Sequence, residues 1–172
     1  MGYAGGTTPD PAYSSIGDYS ETVQVDYDPA RISYEQLLDA FWRSHDPAAA
    51  TGLLQYRSVI FYHNEAQKTA AAASMAREEA RLGRKIQTAI IPYTNLYLAE
   101  DYHQKYYLRT NSTLFREISL IYPDAKDLLN STVAARLNGY IAGFGDEVTV
   151  KAQLDDFGLS QAGKEELLQI IE

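Results

Sequence analysis

The 172 residues, about 19.2 kDa, are 45% hydrophobic and 22% charged, the composition of one soluble domain with a buried core and not of a disordered or collagen-like chain. Fifteen Lys and Arg against 23 Asp and Glu give a formal charge of −8 and a pI near 4.9, which argues against nucleic acid as a partner. Cysteine is absent, so disulfides, thiolate metal sites and any chemistry by the chain's own thiol are excluded. No apolar run approaches the roughly 18 residues of a membrane span, and Met1 is followed by glycine and polar turn residues in place of a leader. Those two features predict no membrane association and a cytoplasmic location.

In chain order, the Gly- and Pro-rich opening from Gly2 to Tyr13 has neither helical nor strand period and reads as an extended loop. Glu21 to Tyr27 alternates polar with β-favouring residues and is stopped by Asp28-Pro29, a predicted half-buried strand. Ser33 is a good N-cap with Gln36 three residues on, and Leu37, Leu38, Phe41 and Trp42 make one apolar helical face ending at His45-Asp46-Pro47. The compact apolar run within Gln55 to Tyr62 predicts a buried strand. Asn64 caps a helix reaching Leu82, with Gly83 as its C-cap. A third strand is predicted over Gln87 to Ile91, and a short helix over Leu98 to Arg109. Further helices fall near Thr113 to Ile121, Ala125 to Leu137 and Ser160 to Ile171. Strands alternating with helices predict an α/β or α+β sandwich.

Several familiar site patterns are missing. Histidines 45, 63 and 103 lie 18 and 40 residues apart, without metal-ligand spacing, so no metal is expected. There is no Gly-x-Ser-x-Gly elbow, and Ser58, beside Arg57, has no base near it in sequence. Paired acids such as Glu21 and Glu100 carry no specificity by themselves, since most carboxylates are solvated. Fourteen tyrosines, concentrated in the first 107 residues, are core or rim aromatics in the simplest reading and phenols lining a polar pocket in the sharper one.

Ordered fragments carry more information. They run Gly2-Tyr3-Ala4-Gly5-Gly6, Pro11-Ala12-Tyr13, Gly17-Asp18-Tyr19-Ser20-Glu21, Phe41-Trp42 with His45-Asp46-Pro47, Gln55-Tyr56-Arg57-Ser58, and Ala99-Glu100-Asp101-Tyr102-His103. The chain resembles the A-type peptide methionine sulfoxide reductases over roughly residues 2 to 107, and Leu137 to Gly143 is similar to the tail of one branch of that family. The resemblance implies an α+β fold, a two-layer α/β sandwich with a mixed sheet related to the ferredoxin-like arrangement, here truncated at its N-terminus. It implies a reductase-like domain over residues 1–145 and a helical C-terminal extension over residues 146–172. In the family a strand and a Gly-Cys-Phe-Trp segment precede the Gly2 loop. Their absence is expected to leave Val23, Val25 or Val59 uncovered.

By the same resemblance Glu21 is the acid that protonates the departing sulfoxide oxygen, its apolar neighbours on a strand favouring the neutral carboxyl. Tyr13 and Tyr56 are the two sulfoxide-binding phenols, and Glu100 and His103 stand behind them. Two positions depart from the family pattern. Tyr19 replaces the histidine usual two residues before the acid, and the loop between Pro47 and Gln55 is short. The implied function is reduction of methionine-S-sulfoxide, free or in proteins, with no metal or flavin and with thioredoxin or a dithiol as reductant. This chain, lacking the nucleophilic cysteine, is expected to be inactive. The alternative is a non-catalytic module that binds oxidised methionine.

Overall fold

A computed structural model describes residues 1–49 and 51–171. They form two compact units, Met1–Glu100 and Asp101–Glu172. Helices predominate in the second, and the chain is α+β as predicted.

In the first unit, strands β1 (Gly2–Ala4), β2 (Ser20–Thr22) and β5 (Leu96–Leu98) make an antiparallel sheet in the order β2-β1-β5. Tyr3 stands opposite Glu21 on one side and Tyr97 on the other. Strands β3 (Val59–Tyr62) and β4 (Ala89–Pro92) form a separate parallel pair. Parallel and antiparallel pairing thus both occur, divided between two sheets.

Helix α1 (Tyr34–Arg43) begins with the predicted capping box: the Ser33 hydroxyl accepts the Gln36 amide and the Gln36 side chain accepts the Ser33 amide. Helix α2 (Glu65–Leu82) starts at the Asn64 cap and ends at Gly83, whose φ of 64° is the left-handed conformation that glycine adopts without strain. Leu38 and Trp42 of α1, Ile60 of β3 and Ala71 of α2 share one buried cluster.

Trp42, the chain's single tryptophan, donates its indole N–H to the Ser74 hydroxyl at 3.0 Å, and that hydroxyl in turn donates to the Ala71 carbonyl at 2.8 Å. Both side chains are buried. Ser74→Ala strands the indole donor out of water, a loss of about 1–3 kcal/mol. Urea unfolding followed by Trp42 fluorescence is expected to show a lowered midpoint at unchanged slope.

Two elements differ from the sequence expectation for one reason. Gly2–Ala4 is a central strand where a loop was predicted, and the predicted strand over Glu21 to Tyr27 is regular only to Thr22. β1 offers partners to Ser20, Glu21 and Thr22 alone. Without a paired neighbour the alternation beyond Thr22 organises nothing, and Val23 and Val25 are 70% and 55% exposed. Val59 is half-buried. The predicted helix over Leu98 to Arg109 resolves into the end of β5, a 3-10 turn at Asp101–His103 and helix α3 (Tyr106–Thr110).

The second unit packs α3 with α4 (Ser112–Ile121), α5 (Ala125–Asn130), α6 (Thr132–Ile141), α7 (Glu147–Gln153) and α8 (Gln161–Ile171). Its core holds Leu108, Leu114, Ile118, Leu137, Phe157 and Leu167. The helix expected over Ala125 to Leu137 is two, because Ser131 is extended and caps α6 by accepting the Ala134 amide. Helix α7, led by the Asp146 cap, falls in the extension that the resemblance implies to be helical, although the residues alone indicate helix there only from Ser160.

Candidate functional site

Tyr3 is almost wholly buried in β1, and its hydroxyl donates to Glu100 at 2.5 Å. The other Glu100 oxygen accepts the backbone N–H of Tyr13 at 3.0 Å. Glu100 therefore fixes the 3-10 turn Tyr13–Ser15 to the sheet, with the Tyr13 side chain left 42% exposed.

On the other side of β1, buried Ser20 donates to the Leu54 carbonyl at 3.0 Å and accepts from Arg57 Nε at 2.7 Å. This anchors the 3-10 turn Leu54–Tyr56 against β2. Gln55 then donates its amide to Glu21 Oε1 at 2.6 Å, and Tyr56 lies one residue further on. The Tyr56 phenol is raised above its ordinary value, first by its hydrogen bond with Tyr13, then by the Tyr13 charge, burial and the Glu21 carboxylate. Tyr56 therefore lies beside both Tyr13 and Glu21. A carboxyl and two phenols in one place can hold a polar oxygen and hand it a proton.

Glu21 and Tyr56 line a groove of about 600 Å³ together with Val23, Leu37, Phe41, Val59 and Phe61 and with the polar side chains of His45, Arg57 and Ser58. The lining joins apolar and polar side chains, which suits a ligand with an alkyl part and a strongly polar atom. The described partner of Glu21 is the Gln55 amide, where the sequence led us to expect apolar neighbours. His103 belongs to the second unit, its ring tilted 43° against Tyr102 with centroids 4.3 Å apart in the turn Asp101–His103. Sequence reasoning missed the roles of Gln55, Ser20 and Arg57, although Gln55-Tyr56-Arg57 lies within one of the fragments that carried the resemblance.

The glycine loop before the site is held by Asp18. Its carboxylate accepts the Thr7 and Thr8 amides at 2.9 and 3.0 Å and their hydroxyls at 2.8 and 2.7 Å. Gly5 in this loop has φ of 77°, and a Cβ there would meet the Phe61 ring at 2.6 Å. The Thr8 hydrogen bonds, followed by those of Thr7, hold the Asp18 carboxyl far below the usual carboxylate range. A lowered folded-state value contributes stability that is present above the unfolded value near 3.9 and is lost only as pH falls through the folded one. The Thr7 and Thr8 amides are expected to stay protected from hydrogen exchange down to about pH 3, and Asp18→Ala to lose that protection at every pH.

The profile described as Peptide methionine sulfoxide reductase matches residues 1–135. The chain belongs to the peptide methionine sulfoxide reductase family. A second profile, the helical domain of selenoprotein methionine sulfoxide reductase A, matches residues 124–172, largely the α5–α8 part of the second unit. The chain is 42% identical over 162 residues to a peptide methionine sulfoxide reductase of Drosophila melanogaster, covering 93% of this chain and 65% of the relative. It is 41% identical over 148 residues to peptide methionine sulfoxide reductase A5 of Oryza sativa, covering 83% and 58%. The crystal structure of reduced Mxr1 from Saccharomyces cerevisiae superposes with a TM-score of 0.59 at 34% identity, over 64% of this chain and 68% of that one. The chain thus spans between 57% and 65% of the length of the first curated relatives it matches.

In this methionine sulfoxide reductase family member the polar residues stand together in a sequence without cysteine. Among the described residues no three His, Asp or Glu side chains are placed to hold a metal, and no helix is long and apolar enough to cross a membrane.

Proposed function

We propose that this chain supplies the sulfoxide-binding and proton-donating half of a methionine-S-sulfoxide reductase site. The observation that supports this reading is that Tyr56, hydrogen-bonded to Tyr13 and close to Glu21, lines with Glu21 a groove that also carries apolar side chains. The phenols receive the sulfoxide oxygen, Glu21 gives it a proton as the S–O bond breaks, and the methionine side chain lies along those apolar side chains. Glu100 positions Tyr13, and Gln55 positions Glu21. Within a polypeptide that also carries a nucleophilic cysteine, these residues serve reduction, with thioredoxin or a dithiol returning the electrons. In the 172-residue chain they serve binding.

The test is titration of a short peptide containing Met-S-sulfoxide, followed by amide chemical shifts. Shifts are expected at Tyr13, Glu21 and Tyr56, with a preference for the S over the R epimer. Tyr56→Phe removes one hydrogen bond and is expected to weaken binding by roughly fivefold, about 1 kcal/mol. A Tyr13→Phe, Tyr56→Phe double variant that binds as tightly as the parent would overturn the assignment.

A further inference from the structure

The groove holds a second reactive pair that the sulfoxide chemistry does not use. His45, just past the end of α1, and Ser58, just before β3, are 13 residues apart in sequence, yet His45 Nε2 lies 2.8 Å from Ser58 Oγ. His45 Nδ1 faces the Phe41 carbonyl at 3.0 Å and the Ser44 hydroxyl at 3.2 Å, and that hydroxyl gives its own proton to the same carbonyl at 2.7 Å. A carbonyl only accepts, so Nδ1 carries a proton and Nε2 of the neutral ring is left as an acceptor. Ser58 therefore donates its single hydroxyl proton to His45, and Thr88, at 2.7 Å, donates to Ser58. The imidazole is further set by edge contact with the Phe41 ring, centroids 4.8 Å apart. Nucleophile, base and orienting acceptor form one chain of hydrogen bonds, and both His45 and Ser58 line the groove.

We propose that Ser58 is an acyl-accepting nucleophile with His45 as its base, acting on esters of short apolar acids. The alkyl part of the acid packs on the groove wall made by Leu37, Phe41 and Val59. In the β3–β4 ladder the Ser58 and Tyr62 carbonyls accept from Ala89 and Tyr93, so the alternate residues Val59 and Phe61 turn their backbone groups to the free edge of β3. The Val59 N–H, next after the nucleophile, is the donor available to the carbonyl oxygen as it gains charge.

The steps balance without a redox partner. Ser58 Oγ bonds to the ester carbonyl carbon while its proton passes to His45 Nε2. The carbon–oxygen bond to the alcohol breaks as His45 returns that proton to the leaving oxygen. Water then attacks the acyl-serine, giving a proton to His45, and Ser58 regains one as the free acid departs.

The experiment uses the full 172-residue chain with p-nitrophenyl butyrate. The expected result is a burst of p-nitrophenolate approaching one equivalent per chain, with the butyryl group mapped to Ser58 by mass spectrometry. His45→Gln is expected to slow acylation by about 10²–10⁴-fold with an unchanged far-UV spectrum. Ser58→Cys is expected to retain acylation at the same position, which a purely structural hydroxyl would not. Label found on other residues, or no burst above the buffer rate from the parent chain, overturns the proposal whatever the variants do. Because the readout is acyl transfer, its failure leaves the sulfoxide reading untouched, and failure of sulfoxide binding leaves this one.

Discussion

Incubated with dithiothreitol and Met-S-sulfoxide, the 172-residue chain is expected to give methionine no faster than the no-protein blank. Converting a sulfoxide to a sulfide takes two electrons as well as two protons. Tyr13, Tyr56 and Glu21 can hold the oxygen and supply a proton, but no group among them can take up an oxidising equivalent, and the sequence contains no thiol. The proposed site, in a chain without a thiol, separates binding from turnover. Fusing a Gly-Cys-Phe-Trp-containing segment upstream of Met1 is expected to create dithiol-dependent activity. In that fusion Glu21→Gln is expected to lower kcat by about 10²–10⁴-fold, the usual worth of a positioned general acid. Turnover by the unmodified chain that disappears in Glu21→Gln would overturn the expectation.

The largest effect on stability is expected in the second unit. Leu137 of α6 is fully buried among Leu108, Leu114, Ile118 and Leu167. Leu137→Ala removes three heavy atoms from this closely packed cluster and leaves a cavity, at a cost of about 2–5 kcal/mol. A small unit with a total stability of about 5–15 kcal/mol loses a large fraction of it. At about 4–8 °C per kcal/mol for a unit this small, the thermal midpoint falls by at least about 8 °C. Leu120→Ala, at a side chain 78% exposed, is the matched control and is expected to change stability by no more than about 0.5 kcal/mol. Similar midpoints for the two variants would show that the helices of this unit do not unfold around one shared core.

The sequence by itself determined the features that are settled within a few residues of chain. The Ser33–Gln36 capping box, the Asn64 cap and the Gly83 stop all stand where they were read, because a cap satisfies orphan backbone groups three or four positions away and needs no distant partner. The missing thiol was likewise a matter of composition, and the order of short fragments was enough to indicate the family.

Tertiary structure decided everything that depends on remote partners. Gly2-Tyr3-Ala4 has no strand signature, yet it is the central strand because β2 and β5 supply hydrogen bonds on both sides. Val23 and Val25 have the alternation of a strand, yet they lie exposed because no strand among the described residues pairs with them. Glu100 reaches Tyr13 across 87 positions and Tyr3 across 97, Gln55 reaches Glu21 across 34, and His45 finds Ser58 only where α1 meets β3. Convergence of this kind is fixed by sheet pairing and helix packing over long loops, whose closure leaves no periodic trace in the residues that finally meet.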